Sequence, residues 1–442
     1  MVKKKRKVIE MKKTKTMLTR MASLALCLVL LLSLFCGCGA ESTSFGGALE
    51  DSNAAGFEGD GAQNLISADS ADMTESSSQA EAIPIEIPEA GNIVASGWCG
   101  EDSEWGDNGY GGVECINSNA SWTLDDQGIL TISGTGRMSG TAEEVYQGHD
   151  DYWGYDTYSL ECVAPWYDLR ENVKYIIVQE GINYISELAF SDCTNVLIAQ
   201  LPESLQYIDS GAFYKCQSLV EIDIPDSVKS IGDGCFQECE SLTKVELPSE
   251  LCYIQSYTFD GCESLKSIVV PESVEYILSH AFWACDNLTE ISLPDSLKLI
   301  ESGAFGYTGY YDDPQNWDNG VLYIGNCLID ADEAISGNYN IKDGTTVIAH
   351  DAFENCMDLK SITIPDTVSY INTWAFARSG ITDITFKGNP PVYINHQAFD
   401  GITATIHYPG NNAAWTGEFE EWEFDDFEDF GRAEITWVAD AP

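Results

Sequence analysis

The sequence predicts a β-rich solenoid, a stack of 23-residue units built from short strands and single helical or 3₁₀ turns. Phenylalanine recurs at this period in two runs, and an isoleucine stands five residues before each one. A fixed period of about 20 to 50 residues is typical of repeat architectures, whose units cannot bury their apolar residues alone and therefore stack. The recurring phenylalanines are Phe190, Phe213, Phe236, Phe259, Phe282, Phe305, Phe353, Phe376 and Phe399.

Each unit contains two predicted strands and a turn. In residues 220–225 apolar and polar side chains alternate, which directs Ile222 and Ile224 inward, and Pro225 ends the strand where no ladder donor is needed. A second extended piece carries the recurring isoleucine, and the small residue and phenylalanine that follow suit a tight interior turn. The same proline position is filled by Pro202, Pro225, Pro248, Pro271, Pro294 and Pro365.

The first 38 residues are typical of an export signal. Nine basic residues precede and flank a short apolar stretch, which is shorter than the roughly 20 residues that a membrane-spanning helix needs. The stretch ends in Cys36-Gly37-Cys38-Gly39, and the Gly-Cys pair resembles a bacterial lipobox with Cys38 as the lipid-bearing residue. Phe35 departs from the usual leucine of that motif, so lipid anchoring through Cys38 and simple secretion both remain open.

The rest of the chain divides by composition and by repeat phase. Residues 39–92 are rich in Gly, Ser, Ala, Asp and Glu, which predicts a disordered tether. Residues 93–172 form a predicted N-terminal β cap, with a hairpin around 122–132. The repeats fill 173–305 and 341–402, the insertion 306–340 is expected to form loops on one face, and 403–442 form a C-terminal cap.

A family resemblance supports this division. The unit "VEIDIPDSVKSIGDGCFQECESL" (220–242) resembles the BspA-type leucine-rich repeat of bacterial surface proteins, because strand, proline, isoleucine, cysteine and leucine recur in order across the array. The flanks "ASWTLDDQGILTISGTGRM" and "HYPGNNAAW" resemble segments that accompany such arrays. The resemblance implies a leucine-rich repeat array at the cell envelope or cell surface, used in adhesion or ligand binding.

The net charge excludes one large class of partner. The chain carries 22 basic and 71 acidic residues, a formal charge of −49. Beyond residue 38 only 13 basic residues face 70 acidic ones, a net charge of −57. Nucleic acid is excluded as a partner because a polyanion requires a basic footprint. We expect a monomer that meets a membrane only through its lipid anchor.

Catalytic and metal-binding patterns are absent from the sequence. Its five histidines show no His-Glu-x-x-His spacing, and there is no nucleophile elbow, P-loop or dinucleotide fingerprint. Two loose acidic clusters, near Asp102 and Asp312, do not follow the EF-hand pattern and are interpreted as solvated loops. We therefore predict no enzymatic activity, no cofactor and no metal.

Two groups of cysteines carry predictions, and Cys235, Cys252 and Cys327 stay unassigned. One group recurs three residues after the phenylalanine, as at Cys216, and its 23-residue spacing favours a buried column of free thiols over disulfides or metal ligands. The other group, Cys99, Cys115 and Cys162, lies in the cap of an exported protein, where at least one disulfide is reasonable, and the predicted pair is Cys99 with Cys115.

Tyrosine recurs immediately before the recurring isoleucine. Because neighbours in a strand point to opposite faces, an inward isoleucine sends the tyrosine outward. Stacked tyrosines stabilise adjacent strands without any ligand, and they also suit a carbohydrate ring or a protein surface. The predicted external ladder consists of Tyr184, Tyr207, Tyr253, Tyr276, Tyr370 and Tyr393.

Three functions remain compatible with this sequence. The first is adhesion to an extracellular protein, the second a carbohydrate-binding module that uses the tyrosines, and the third a structural envelope protein. The segment "EFEEWEFDDFEDF" (418–430) adds a local alternative, since its aromatic spacing suits a helix docked on the last repeat, while its acids suit a partner-binding motif.

Overall fold

The computed structural model describes residues 85–100, 118–139, 142–150, 155–415 and 433–441. The predicted signal segment with Cys38, nearly all of the predicted tether, Cys115 and residues 418–430 lie outside this part of the chain. Within it, no helix is long and apolar enough to cross a membrane. The predicted β-solenoid is confirmed, and its strands are given below in chain order.

A small antiparallel region leads into the repeats. The predicted hairpin is present, with Leu124 opposite Leu130, and its second strand pairs in parallel with Tyr175–Val178, the first strand of the repeats. The sheet of the cap therefore continues directly into the solenoid. The elements are β1 (Ile93–Trp98), β2 (Ser121–Asp125), β3 (Ile129–Ser133), β4 (Gly136–Arg137), the hairpin β5 (Ala142–Asp150) and β6 (Tyr155–Cys162), and a 3₁₀ helix (Tyr167–Asn172).

The first block of repeats has two parallel strand faces. One face has the strands that precede the prolines, and the other has the strands with the recurring isoleucine. Tyr207 lies opposite Tyr184, so the register advances by one whole repeat at each strand. The strands are β7 (Tyr175–Val178), β8 (Ile182–Ile185), β9 (Ile198–Gln200), β10 (Tyr207–Ile208), β11 (Glu221–Asp223), β12 (Ser230–Ile231), β13 (Lys244–Glu246), β14 (Tyr253–Ile254), β15 (Ser267–Val269), β16 (Tyr276–Ile277), β17 (Glu290–Ser292) and β18 (Leu299–Ile300).

The turn around each phenylalanine also pairs with its neighbour. In the turn of Phe190, the residues two before and two after it, Leu188 and Asp192, adopt left-handed conformations with φ of 54° and 58°. The backbone N–H groups of these three residues donate to carbonyl oxygens of the following turn at 3.0, 2.8 and 2.8 Å. The turns are therefore a third hydrogen-bonded face of the solenoid.

The phenylalanine rings stack through the core of each block. Neighbouring ring centroids lie 5.2 to 5.6 Å apart, and all nine rings are at most 1% exposed. Such separations lie in the favourable range for aromatic pairs. At the N-terminal end Trp166 continues the stack, 5.8 Å from Phe190, and its indole N–H donates to the Ala189 oxygen at 2.9 Å.

The cysteine column consists of buried free thiols, as predicted. The thiol of Cys216 donates to the carbonyl oxygen of Phe190, one repeat earlier, at 3.3 Å. Cys285 makes the same bond to Phe259 at 3.1 Å. Burial raises the pKa of Cys216 well above its usual value, which keeps the thiol protonated as a donor. A cysteine at this position therefore fills the core and also pairs a buried carbonyl.

The insertion contains the extended pieces that the sequence predicts, but the expectation that it forms loops on one face is wrong. A hairpin lies between the two blocks, and all four residues of its first strand are buried. Leu322 and Ile324 pack in the core of the first block, while Val321 and Tyr323 pack in the core of the second. The elements are α1 (Gly309–Asp312), a 3₁₀ helix (Pro314–Asn316), β19 (Trp317–Asp318), β20 (Val321–Ile324), β21 (Cys327–Ala331) and β22 (Gly337–Asn340).

The second block repeats the architecture of the first. Its last repeat strand is joined in parallel by one more strand, and Trp415, which is 1% exposed, packs 5.1 Å from Phe386 at this end. The elements are β23 (Val347–Ile348), β24 (Leu359–Ile364), β25 (Tyr370–Ile371), β26 (Asp383–Phe386), β27 (Tyr393–Ile394), β28 (Thr403–Pro409), a 3₁₀ helix (Ala413–Trp415) and β29 (Glu434–Asp440).

The side chain of Asn372 completes the hydrogen bonding of the last strand in the first block. Its Oδ1 accepts from the Ile300 N–H at 3.1 Å, and its Nδ2 donates to the Lys298 oxygen at 3.0 Å. The His350 N–H donates to the Ile300 oxygen at 3.0 Å. Asn372 is 1% exposed, so its amide replaces the backbone of a missing neighbouring strand where water has little access.

We expect Asn372→Ala to lower the free energy of unfolding by about 2 to 4 kcal/mol, because it leaves the buried Ile300 N–H and the partly buried Lys298 oxygen without partners. Chemical denaturation measures this loss. Asn395→Ala is the matched control, since Asn395 holds the same repeat position but is more exposed, and we expect it to cost less than about 1 kcal/mol. Equal losses in the two variants would contradict the role assigned to Asn372.

Candidate functional site

The six tyrosines of the predicted ladder lie on one strand face of the solenoid. Each precedes a recurring isoleucine that points into the core, and each tyrosine points away from it, as the alternation in a strand predicts. Five of the tyrosines are half-buried, and Tyr393 is 48% exposed. We call Tyr184, Tyr207, Tyr253, Tyr276, Tyr370 and Tyr393 the Tyr ladder.

The Tyr ladder is a series of pairs and not one unbroken column. Tyr253 and Tyr276 stack with centroids 4.6 Å apart and planes 10° apart, and Tyr184 and Tyr207 lie 5.9 Å apart. Ser230 occupies the ladder position after Tyr207, so the rings separate there.

The two halves of the Tyr ladder approach each other at the junction between the blocks. Tyr370 and Tyr393 pair in register in the second block. Tyr370 also packs against the core of the first block. The second half of the ladder therefore lies against the first block at the junction.

Several ladder rings make contacts within the chain. The Tyr184 hydroxyl donates to the Asp209 carboxylate, and the Arg137 guanidinium lies 4.0 Å from the Tyr184 ring centroid. Burial and the neighbouring Asp209 charge raise the pKa of Tyr184. The Lys298 ammonium lies 5.9 Å from the Tyr276 centroid. These contacts support the structural interpretation for part of the ladder, and Tyr253 and Tyr276 form its most nearly parallel stacked pair.

An acidic cavity of about 490 Å³ lies beside the junction. Its wall includes Tyr311, Trp317, Asp330 and Glu354 among its aromatic and acidic side chains. The Tyr311 hydroxyl donates to Asp330 at 2.6 Å, and its ring meets Trp317 edge to face at 5.2 Å. Burial raises the pKa of Asp330 to about 6. Within the described ranges, no three His, Cys, Asp or Glu side chains are arranged to hold a metal ion.

The predicted cysteine sites stay predictions. Cys99 is buried, which raises its pKa to about 12, but its proposed partner Cys115 is outside the described residues. The lipidation site Cys38 is outside them as well.

Sequence reasoning missed a second aromatic surface, on the turns. Tyr257, His280, Trp283 and Tyr307 are in ring contact across three successive turns. Only Tyr257 and His280 share a repeat position, so a search for one residue type at a fixed period does not find the set. A usable signal was the substitution of Tyr257 and His280 at a turn position that holds glycine in the two preceding repeats.

The fold and its repeat pattern define a leucine-rich repeat solenoid. The family model described as "BspA type Leucine rich repeat region" matches residues 183–311 and 334–412, in six copies. The repeats of this chain are therefore BspA-type leucine-rich repeats, as their sequence predicts. No curated protein matches the sequence significantly.

Several solved bacterial structures resemble this chain. A leucine-rich repeat protein from Eubacterium ventriosum is 21% identical, covers 67% of this chain and 77% of its own, and has a TM-score of 0.35. One from Bacteroides ovatus is 18% identical, and the match covers 74% of this chain and 100% of that protein, with a TM-score of 0.34. A leucine-rich cell surface protein from Faecalibacterium prausnitzii is 19% identical, and the match covers 73% of this chain and 93% of that protein, with a TM-score of 0.29. At such values these likenesses support no inference about function.

The raised pKa of Asp330 makes stability depend on pH. An acid whose pKa rises from 3.8 to about 6 on folding binds its proton more tightly in the folded state, so its contribution to stability falls as pH rises through this window. We expect Asp330→Asn to match the wild type near about pH 4 and to be more stable by about 1 to 3 kcal/mol near about pH 7.

Thermal unfolding at the two pH values measures this difference. Glu333→Gln is the control, because it removes a negative charge from an exposed residue of the same cavity wall. If both variants change the melting temperature equally at both pH values, burial of Asp330 is not the cause.

Proposed function

We propose that this chain is an exported, non-enzymatic binding protein that presents its solenoid to an extracellular protein ligand along the Tyr ladder. The observation that carries the proposal is a set of tyrosines at one repeat position, beside the recurring isoleucines, on three hydrogen-bonded parallel sheets of one solenoid face. Tyrosine provides a large, rigid area together with a hydroxyl group, and for this reason it is enriched in binding surfaces.

Export follows from the signal-like first 38 residues, with attachment through Cys38 or release by secretion. The BspA-type repeats support the same location, since the resemblance that they carry is to bacterial surface proteins. No constellation of residues in the sequence suggests catalysis. Binding is the activity for which an extended surface of stacked repeats is sufficient, because it requires no catalytic groups.

A carbohydrate ligand is the second candidate, and the stacked pair Tyr253–Tyr276 is the observation that favours it. The two nearly parallel rings, 4.6 Å apart, offer an apolar platform edged by hydroxyl groups. A purely structural role is the third candidate, favoured by the contacts of Tyr184 with Asp209 and Arg137.

We expect the triple variant Tyr207→Ser, Tyr253→Ser, Tyr276→Ser to lose at least about ten-fold in affinity for a protein ligand, because it removes the central rings of the ladder. Binding of the exported chain to arrays of extracellular proteins and of glycans measures this. Stability should fall by only about 1 to 3 kcal/mol, since each cross-strand pair contributes little.

Tyr214→Ser is the matched control, because Tyr214 is a half-buried surface tyrosine outside the ladder. Unchanged protein binding by the triple variant would make the ladder structural. Ladder-dependent binding to glycans alone would replace the protein ligand by a carbohydrate.

A further inference from the structure

Four aromatic side chains form a contiguous row on the turn face of the first block. Tyr257 stacks on His280 with centroids 5.1 Å apart and planes 10° apart. His280 lies 4.6 Å from Trp283, and Trp283 lies 4.6 Å from Tyr307 in an edge-to-face arrangement. Tyr257 is 37% exposed and Tyr307 57% exposed, so the row reaches solvent at both ends. We call these four residues the turn-face row.

Two glycines provide the space that the indole of Trp283 occupies. A Cβ at Gly306 would lie 2.5 Å from Cζ3 of Trp283, and a Cβ at Gly303 would lie 3.0 Å from the same atom. A side chain at position 306 would therefore displace the indole. The position of Trp283 therefore requires glycine at 306 in the following turn.

The row is maintained against a conformational cost. Tyr257, His280 and Tyr307 adopt left-handed conformations with φ of 58°, 56° and 53°. In the two preceding repeats the position of Tyr257 is held by Gly211 and Gly234, which adopt this conformation without steric cost. For a residue with a Cβ the cost is about 1 to 2 kcal/mol. Residues with a Cβ adopt the same conformation in other turns, as at Leu188 and Trp374, so this cost belongs to the turn and is not confined to the row.

Elsewhere in this chain, basic side chains lie over the rings of several tyrosines. Arg137 lies 4.0 Å from the ring centroid of Tyr184, and Arg170 lies 4.1 Å from that of Tyr167. Lys215 lies 4.8 Å from the centroid of Tyr214. Among the described residues, no lysine or arginine covers a ring of the turn-face row.

The charge around the row favours a cation. Beyond residue 38 the chain has 70 acidic and 13 basic residues. Asp260 lies in the same turn as Tyr257 and accepts a hydrogen bond from Gln237 at 2.8 Å. Burial lowers the pKa of His280, whose Nδ1 is buried and makes no hydrogen bond within the described residues, so the imidazole is neutral near pH 7 and does not repel a cation.

We propose that the turn-face row binds an arginine-bearing segment of the protein ligand, with the guanidinium against the exposed rings. This inference rests on the proposed function, in which the ligand is a protein, but places a second contact on a different face from the Tyr ladder. A planar guanidinium stacks on aromatic rings and is more weakly hydrated than an ammonium group. Arginine is thus preferred to lysine.

The test measures binding of a short synthetic Gly-Arg repeat peptide to the exported chain by titration calorimetry. Matched peptides with lysine or with uncharged citrulline in place of arginine give the dependence on guanidinium. We expect the triple variant Tyr257→Ser, Trp283→Ala, Tyr307→Ser to bind the arginine peptide about ten-fold more weakly. The variant keeps the net charge unchanged, so an attraction that depends on net charge alone would survive it.

Two further variants separate a folding defect from a binding defect. Gly306→Ala keeps every ring but occupies the space of the indole, and we expect it to weaken binding about three-fold. Tyr214→Ser should leave peptide binding unchanged, because Lys215 already covers that ring. Circular dichroism and melting temperatures verify that each variant is folded.

Equal binding of the arginine peptide by wild type and the triple variant at about 0.15 M salt, with binding lost by both at about 1 M salt, would overturn the inference and assign the attraction to net charge. Loss of glycan binding in the triple variant, with no effect on the peptide, would overturn it in favour of a carbohydrate. In either case, loss of protein binding in the triple variant of the Tyr ladder would still support the proposed function. The two proposals are therefore tested separately.

Discussion

The contact between phenylalanine rings of successive turns is the interaction on which the rest of this solenoid depends. Each ring lies 5.2 to 5.6 Å from the next within its block, and truncating one such buried ring costs about 3 to 5 kcal/mol. The stack fixes the rise and register of the turns, so the isoleucine and the proline-terminated strands repeat with it. The spacing of the side chains in the Tyr ladder and in the turn-face row follows from the spacing of the turns in this core.

A stack of this kind needs closure where it ends, and the chain supplies a different solution at each point. Trp166 continues the rings at the N-terminal end, and Trp415 packs beside Phe386 at the other. Between the blocks, the hairpin β20–β21 presents apolar side chains to both cores, and Asn372 pairs the last strand of the first block. Each solution removes the unpaired backbone or exposed apolar surface that a broken stack would leave.

The 23-residue periodicity of the sequence predicted most of the fold. The positions of Phe213 and Ile208 predict buried columns, and alternation then predicts an outward Tyr207, because these follow from local rules that repeat. The two-faced hairpin was missed, although the continuous apolar run 321–324 is typical of a strand buried on both sides. The turn-face row was missed because Trp283 owes its position to Gly306 in the next turn, a contact between side-chain volumes that no single repeat position records.

We expect the hairpin to join both blocks into one cooperative structure that holds the Tyr ladder and the turn-face row in place. Native-state hydrogen exchange of the backbone amides in β20–β21 tests it most directly. If both blocks unfold together, the amides of Leu322, Ile324 and Leu328 exchange as slowly as that of Phe259 in the stack, through global unfolding. Exchange that is faster by several orders of magnitude would show that the hairpin opens independently, and would contradict the claim.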